Sequence, residues 1–329
     1  MPTLSPAIAE IRRAVRPALA DVPDGAAVIV ALSGGADSLA LAAATAFEAR
    51  SRGIRLISAT IDHALQEGSE DAAADAAAKA EALGIRSRVR RVEVRADADG
   101  PEAAAREARY AALRAIAAEE AAAAVLLGHT LDDQAETVLL GLARGSGTAS
   151  LQGMAARRED EDGTVWLRPL LGVRRATTEA FCAASELSPW NDPHNTQHRY
   201  ARVRVRENVL PVLEAELGPG VAEALARTAE QLREDAEAFD EMIHETIEDI
   251  VEHAEAGISV SVAALAANPA ALRHRIIRLV AHSEFGASLS RSQTLEVARL
   301  VTDWTGQGPI DLPGCSAARR GARIVFTAH

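Results

Sequence analysis

Six consecutive residues, Ser33-Gly34-Gly35-Ala36-Asp37-Ser38, place two adjacent glycines, two hydroxyls and a carboxylate directly after an aliphatic run, Ala27–Leu32. Adjacent glycines let the backbone turn tightly and present several N–H groups to an anion, and the start of a following helix adds partial positive charge. The pattern is that of a phosphate cradle. It lacks the GxxxxGK[ST] spacing of a Walker loop, which disfavours a P-loop kinase or GTPase, and the glycine spacing of a dinucleotide fingerprint is absent as well. On its own, SGG would also serve as an ordinary strand-to-helix turn capped by Asp37 or Ser38; the register of those two residues after the strand favours the cradle.

Asp132, Asp133 and Glu136 form a second group. Asp133 and Glu136 are three apart and share one helix face near the expected carboxyl ends of the strands, where an open α/β sheet keeps its ligands. In isolation such a cluster also describes a solvated acidic helix start. Asp132 reads as an N-cap or as the neighbour of a metal ion. Arg202, Arg204 and Arg206 read either as a solvated basic face or, beside Tyr200 and Trp190, as guanidinium groups suited to phosphates next to rings suited to base stacking, and that placement favours the second. His63 and His129 read either as phosphate or base contacts or as hydrogen-bonded packing residues. The cluster Arg86, Arg88, Arg90 and Arg91 reads as an exposed strand face.

The elements that must position these residues alternate. Strands are expected at 27–32, 55–61, 86–94 and 124–127, with helices at 37–50, 69–83, 101–121 and 132–143, which predicts an open parallel sheet with helices on both faces. Residues 145–153 read as a glycine and serine loop, and 157–163 as a charged, exposed, mobile loop. A short strand is expected at 166–168, a helix at 174–186, turns over 188–197 and another helix from Tyr200 towards Glu216. Gly218, Pro219 and Gly220 end that helix and set a domain boundary. The resulting organisation is a larger α/β domain over 1–217, an acidic helical linker over 218–257 and a small α+β domain over 258–329, with helices near 269–283 and 290–303 followed by short strands.

Composition narrows the class. The chain has 329 residues, 25% charged and 48% in the apolar class with only 3% aromatic, which suits a folded α-rich protein rather than a disordered or membrane chain. No apolar segment follows Arg12 and Arg13, and no run of 18 apolar residues occurs, so a cytoplasmic protein without a membrane span is expected. The net charge of −12 is uneven: residues 221–256 carry twelve acidic residues and two arginines, a local charge of −10. The remainder is nearly balanced and leaves room for a basic face. The acidic helix would act as a spacer or as the surface of a homodimer, and its spacing does not choose between them. Two cysteines, Cys182 and Cys315, far apart in sequence, exclude a disulfide framework or a CxxC pair.

SGGxDS after a first strand resembles the N-type ATP pyrophosphatases, or PP-loop enzymes, which cleave ATP between the α and β phosphates. The similarity continues in Ile61-Asp62-His63, in an AxRxxRY helix through Arg106, Arg109 and Tyr110, and in GHxxDDQxET from Gly128 to Thr137. RGSGxxxLxGM from Arg144 to Met154, RPLL from Arg168, the Trp190–Asn195 element and Arg202–Arg206 follow in order. Within the superfamily this series resembles the tRNA(Ile)-lysidine synthases. It departs from their pattern in having Thr130 after a single histidine and Val203 within the arginine element.

The resemblance implies ATP as co-substrate, bound by Ser33, Gly34, Gly35, Ala36, Asp37, Ser38, Asp62, His63, Arg109, Gly128 and His129, with Asp37 holding Mg²⁺. It implies L-lysine on Asp133 and Glu136, and tRNA(Ile) with a CAU anticodon on Arg144, Trp190, Asn195, Arg202, Arg204 and Arg206. Asp37, Asp133, Glu136 and Arg202 are the expected catalytic set. The implied reaction adenylates the C2 oxygen of the wobble cytidine and then displaces AMP with the lysine amine, giving lysidine. The alternatives are a thiolating PP-loop enzyme, which would need cysteines for sulfur or a cluster, an amidotransferase-linked synthetase, and a non-catalytic ATP- or RNA-binding module.

Overall fold

The computed structural model describes residues 5–64, 68–93, 101–145, 147–190, 198–254 and 257–329. The chain divides into two compact units, Met1–Leu232 and Arg233–His329.

The first unit is built on a six-stranded sheet. Strands β1 (Ala27–Ala31), β2 (Arg55–Asp62), β3 (Arg86–Arg91), β4 (Ala122–Leu126), β5 (Arg157–Glu159) and β6 (Val165–Leu167) lie in the order β3-β2-β1-β4-β6-β5. All neighbours are parallel except the β5–β6 pair at one edge. The helices are α1 (Pro6–Ala18), α2 (Ala36–Ala49), α3 (Ser69–Ala82), α4 (Pro101–Glu119), α5 (Leu131–Arg144), the short α6 (Thr148–Leu151) and α7 (Arg175–Ala184). Side chains alternate across the central strand as a period of two requires. Val28 and Val30 join one core with Ile11, Leu39, Leu41 and Phe181, whereas Ile29 joins another with Ile57, Leu113, Ile116 and Trp166. A parallel sheet covered on both faces, as the alternating pattern implied, is the result.

In this unit the short helix α6 occupies part of the segment expected as a glycine and serine loop, and three further details differ from the sequence reading. Helix α1 was not anticipated, yet Ile11 and Val15, one helical turn apart, are fully buried in it. The segment expected as an exposed mobile loop after Arg157 forms instead the β5–β6 hairpin. Its charges are satisfied within the protein: Arg114 pairs with Asp160 at 2.8 Å and with Asp162 at 2.8 Å, Arg158 pairs with Asp160 at 2.9 Å, and the indole N–H of buried Trp166 donates to Asp160 at 2.8 Å. The single helix expected from Tyr200 to Glu216 is interrupted. It runs as α8 (Ala201–Arg204), a π turn over Val205–Val209 and α9 (Leu210–Leu217). The Leu210 N–H reaches back to the Val205 carbonyl, and Pro211, which has no N–H, follows at once, so a regular ladder is unavailable there.

Helix α10 (Val221–Ile250) contains the division between the units. In the first unit, Ala222, Leu225 and Ala226 pack with Leu131, Ala135 and Leu210. In the second, Ile243, Phe239, Ile247 and Ile250 pack into a separate core. That core is closed by an antiparallel sheet of β7 (Val251–Ala254), β8 (Gly257–Ser261), β9 (Ile310–Leu312), β10 (Cys315–Arg320) and β11 (Arg323–Ala328), in the order β7-β8-β11-β10-β9. Helices α11 (Val262–Ala267), α12 (Ala270–Phe285) and α13 (Arg291–Thr302) complete it. The last two and the strands after Gly306 match the sequence reading. Strands β7 and β8 and helix α11 do not, because the acidic helix stops at Ile250, where Ile250 and Val251 turn their apolar side chains to the sheet core.

Asp160 is the acceptor for a tryptophan N–H with no contact to water, so Asp160→Ala is expected to lower stability by about 1–3 kcal/mol in urea unfolding. Asp160→Asn, which keeps an acceptor but no charge, is expected to lose less.

Candidate active site

The Ser33–Ser38 loop leaves the carboxyl end of β1, the edge at which open α/β sheets hold their ligands. Gly34 has φ +85°, in the left-handed region, and its carbonyl accepts from the Trp190 N–H at 2.9 Å. The Ser38 hydroxyl donates to the Gly35 carbonyl at 3.0 Å, accepts from the Ser33 N–H at 3.2 Å and lies 3.1 Å from the Ser33 hydroxyl. Gly35 is the N-cap of α2 and no side chain caps that helix. Its first amides, those of Ala36, Asp37 and Ser38, therefore have no side-chain partner and suit a phosphate. Gly128, at the end of β4, lets the sheet approach this turn: a Cβ there would lie 3.1 Å from the Ser38 nitrogen and 3.2 Å from the Asp37 carbonyl.

Helix α5 carries the carboxylates. Its N-cap is Thr130, which forms a capping box with Asp133. One Asp133 oxygen accepts from the Thr130 N–H at 2.8 Å and its hydroxyl at 3.0 Å. The other pairs with Arg175 at 3.1 Å and with Arg206 at 3.6 Å. Burial pushes the Asp133 carboxyl up, but Arg175, Arg202 and the Thr130 amide together hold it below its ordinary value. Asp132, read from sequence as a cap or metal neighbour, instead accepts from the Arg175 backbone N–H at 2.7 Å and pairs with Arg174 at 3.3 Å. Glu136, one turn on, has no exposed surface. It pairs with Arg202 at 2.8 Å, Arg206 at 2.7 Å and Arg175 at 3.4 Å. Asp37 accepts from the Thr178 hydroxyl and pairs with Arg175 at 3.5 Å. Its carboxyl is raised, first by burial and further by Asp133, with Thr178 and Arg175 opposing.

Two histidines face the same cleft, of about 570 Å³. Burial, with Arg109 nearby, pushes His129 down to about 3 and lowers His63. Among the described residues, the buried Nδ1 atoms of both histidines and the Nε atom of Arg109 have no hydrogen-bond partner. Such orphaned groups are costly unless a ligand engages them. Asp62 is held in place by the Ala64 amide at 2.9 Å. Burial would raise its carboxyl, and that amide, Ser69 and Arg91 reverse the effect.

The expected residues thus fall into three groups. The loop residues other than Gly34 line the cleft, as do Asp62, His63, Arg109, Gly128, His129, Asp133, Arg206 and Trp190. Glu136 and Arg202 lie outside its lining, tied to it through Asp133, Arg175 and Arg206. Arg204 holds the carbonyls of His198 and Arg199 at 2.8 and 3.0 Å, and Arg144 ends α5 exposed to solvent; neither lines the cleft. Asn195 lies outside the described residues. Sequence reasoning missed Arg175 and Thr178, both on α7. A cation on the first turn of a helix opposes the helix dipole, and its presence there was the available signal. Gln134 and Tyr110 fell within the motifs read from sequence but were given no role there: Gln134 clamps the Met154 backbone with bonds of 2.9 and 2.6 Å, and Tyr110 packs on Trp166 at 4.8 Å.

A PP-loop domain model matches residues 7–213 and a TilS substrate binding domain model matches residues 261–325. The chain is 59% identical over 307 residues to a tRNA(Ile)-lysidine synthase of Leifsonia xyli subsp. xyli, covering 93% of this chain and 91% of that one. It is 49% identical over 321 residues to that of Thermobifida fusca, covering 97% and 95%. Among solved structures, the U34-tRNA thiolase NcsA from Methanococcus maripaludis with its [4Fe-4S] cluster shares the fold, with a TM-score of 0.60 and 22% identity over 69% of this chain and 80% of that one.

Gly128→Ala is expected to weaken binding of inorganic pyrophosphate several-fold, measured by calorimetry, because the added methyl meets backbone rather than a movable side chain. His129 has a second consequence. With its folded value near 3 and an ordinary value of 6.5, the unfolded chain takes up the proton first, so stability falls as pH drops below about 6.5. His129→Gln is expected to flatten that decline in Tm between pH 7.5 and 5.

Proposed function

The chain belongs to the tRNA(Ile)-lysidine synthase family, and on that premise we propose how its cleft joins free L-lysine to tRNA(Ile) in an ATP-dependent reaction that yields lysidine. The observation that carries the reading is the meeting of an uncapped helix start, a glycine loop and the Asp133/Glu136 pair at one sheet edge.

In the first step the wobble cytidine C2 oxygen attacks the α-phosphorus of ATP, forming a C2–O–P linkage and breaking the α–β bridge. Pyrophosphate leaves into the Ser33–Ser38 loop, where the first amides of α2 and the Ser33 and Ser38 hydroxyls bind its oxygens. His129 and His63, held low by burial, offer uncharged ring nitrogens to the nucleotide, and Arg109 offers charge. In the second step the lysine ε-amine attacks C2, the C2–O bond breaks, and AMP departs with that oxygen. Asp133 and Glu136 orient the ammonium groups of lysine and receive the proton that the amine loses. Arg202 and Arg206 hold Glu136 in place. Trp190 stacks on a base, and Arg144, Asn195, Arg204 and Arg206 contact RNA phosphates.

Magnesium fits this site in one way. Asp37 is the carboxylate at the phosphate loop, and among the described residues no group of three or more His, Cys, Asp or Glu side chains could hold a metal alone. That donor set suits an ion held by one carboxylate together with substrate phosphates and water. Mg²⁺ bound by Asp37 would supply charge neutralisation to the triphosphate. We assign tRNA recognition to residues 258–329, the connecting role to 218–257 and the adenylation chemistry to 1–217. We also place the enzyme in the cytoplasm; no helix among the described residues is long and apolar enough to cross a membrane.

Thiolation is the weaker reading. Cys182 and Cys315 are both buried, and burial pushes the Cys182 thiol up to about 11 and raises that of Cys315, so neither is a ready thiolate.

The test is AMP release from ATP by the full chain, with lysine and the CAU-anticodon isoleucine tRNA each present or omitted. AMP and incorporation of radiolabelled lysine are expected only when both are supplied, and no AMP under any condition overturns the reading. Asp133→Asn keeps an acceptor for the Thr130 cap but loses the charge, and is expected to cut lysine incorporation by about 100-fold.

A further inference from the structure

The acceptors that a lysine ammonium would need are already occupied. Of the Asp133 oxygens, one serves the Thr130 cap and the other is bonded by Arg175 at 3.1 Å, with Arg206 farther off at 3.6 Å. Of the Glu136 oxygens, one is shared by Arg206 at 2.7 Å and Arg175 at 3.4 Å, and the other by Arg202 at 2.8 Å and Arg206 at 3.1 Å. A cation cannot enter this set until a guanidinium gives way, because like charges at hydrogen-bond distance repel strongly in a partly buried site.

Arg175 is the guanidinium placed to move. It alone among the described residues touches all three carboxylates, reaching Asp37 on α2 at 3.5 Å as well as Asp133 and Glu136 on α5. It lines the cleft, whereas Arg202 does not. Its backbone is fixed by the Asp132 carboxylate at 2.7 Å, so only the side chain needs to swing. Asp37 lies in the first turn of α2, beside the amides that bind phosphate. A triphosphate seated there brings several negative charges within reach of the same guanidinium, whose planar fork binds phosphate as readily as carboxylate.

We propose that Arg175 is a positioning residue that couples the two small substrates: it covers the lysine carboxylates while the phosphate loop is empty and transfers to the nucleotide phosphates when ATP binds, uncovering Asp133. The proposal rests on the reading of Asp133 and Glu136 as the lysine site. Lysine then binds weakly to the free protein and more tightly to the nucleotide complex, and by linkage lysine strengthens nucleotide binding by the same factor. The coupling lies in the differential contacts of one side chain, as a ligand-driven shift requires.

The test is calorimetric titration of L-lysine into the full chain, alone and saturated with α,β-methylene ATP, an analogue that cannot be cleaved at the α–β bridge. A lysine Kd lower by about tenfold or more in the presence of the analogue is expected for the parent. For Arg175→Gln, lysine affinity without nucleotide is expected to rise and the ratio to fall to about one. Arg175→Lys, which keeps the charge without the fork, is expected to restore part of the ratio. Arg174→Gln, whose parent side chain pairs with Asp132 and Glu223, is expected to keep the parental ratio. Cooperative thermal unfolding of each variant checks that it folds. An equal lysine Kd with and without the analogue in the parent overturns the proposal, as does an Arg175→Gln protein that keeps the coupling. If the parent forms lysidine yet shows no coupling, only the role of Arg175 falls; if it forms neither AMP nor lysidine, the reading of the site falls with it.

Discussion

A carboxylate with no exposed surface must be paired, and Glu136 is such a group. Taking it from water costs several kcal/mol, which partners repay only when their geometry is good. Three guanidinium groups supply that geometry, from Arg175 at the start of α7, Arg202 in α8 and Arg206 in the π turn. One buried charge therefore ties α5 to two other segments distant in sequence. Through the contacts of Arg175 with Asp133 and Asp37 it also ties them to the phosphate loop. The interruption of the helix after Tyr200 fits the same demand, since Arg202 and Arg206 straddle the α8–π junction and both converge on Glu136.

The walls of the cleft divide their labour by burial. Histidines packed near arginines lose their charge, so the positive field that meets a nucleotide comes from arginine and from the amides of α2. Arginine keeps its charge at all working pH values, whereas histidine beside it serves as a neutral hydrogen-bonding group. Orphaned nitrogens on His63, His129 and Arg109 are tolerable in a protein whose ligand completes them. The second unit closes its own core, with a sheet of antiparallel strands and three helices, in the region that matches a substrate binding domain.

Legibility from the sequence followed the range of the physics. Strand and helix alternation and the glycine loop are local, set by side-chain period and turn chemistry within a few residues, and they were readable; the cap of α5 was expected at Asp132 and falls on Thr130. Helix α1 was hidden because its buried positions, Ile11 and Val15, sit among Arg12, Arg13 and Arg16, and the segment was read only for the absence of an apolar run behind Arg12 and Arg13. The β5–β6 hairpin was hidden for a related reason: Arg158, Asp160 and Asp162 look solvated until Arg114 from α4 and the Trp166 indole are brought to them.

Chemistry by residue type was therefore determined by the sequence alone: a phosphate loop, a carboxylate pair one turn apart on a helix, a supply of arginines and a parallel sheet to carry them. Their pairing was decided only by the tertiary structure. Arg175 offers only the local signal of a cation at a helix start, which names no partner, and Arg202 and Arg206 differ from Arg204 by nothing in their spacing that names Glu136 as their partner. Ion pairing at 3 Å depends on distances between segments up to about 140 residues apart in the chain, and no local periodicity encodes such a distance. The burial that lowers His129 and strips Glu136 of water arises in the same way, from elements that meet only when the sheet and its helices have closed.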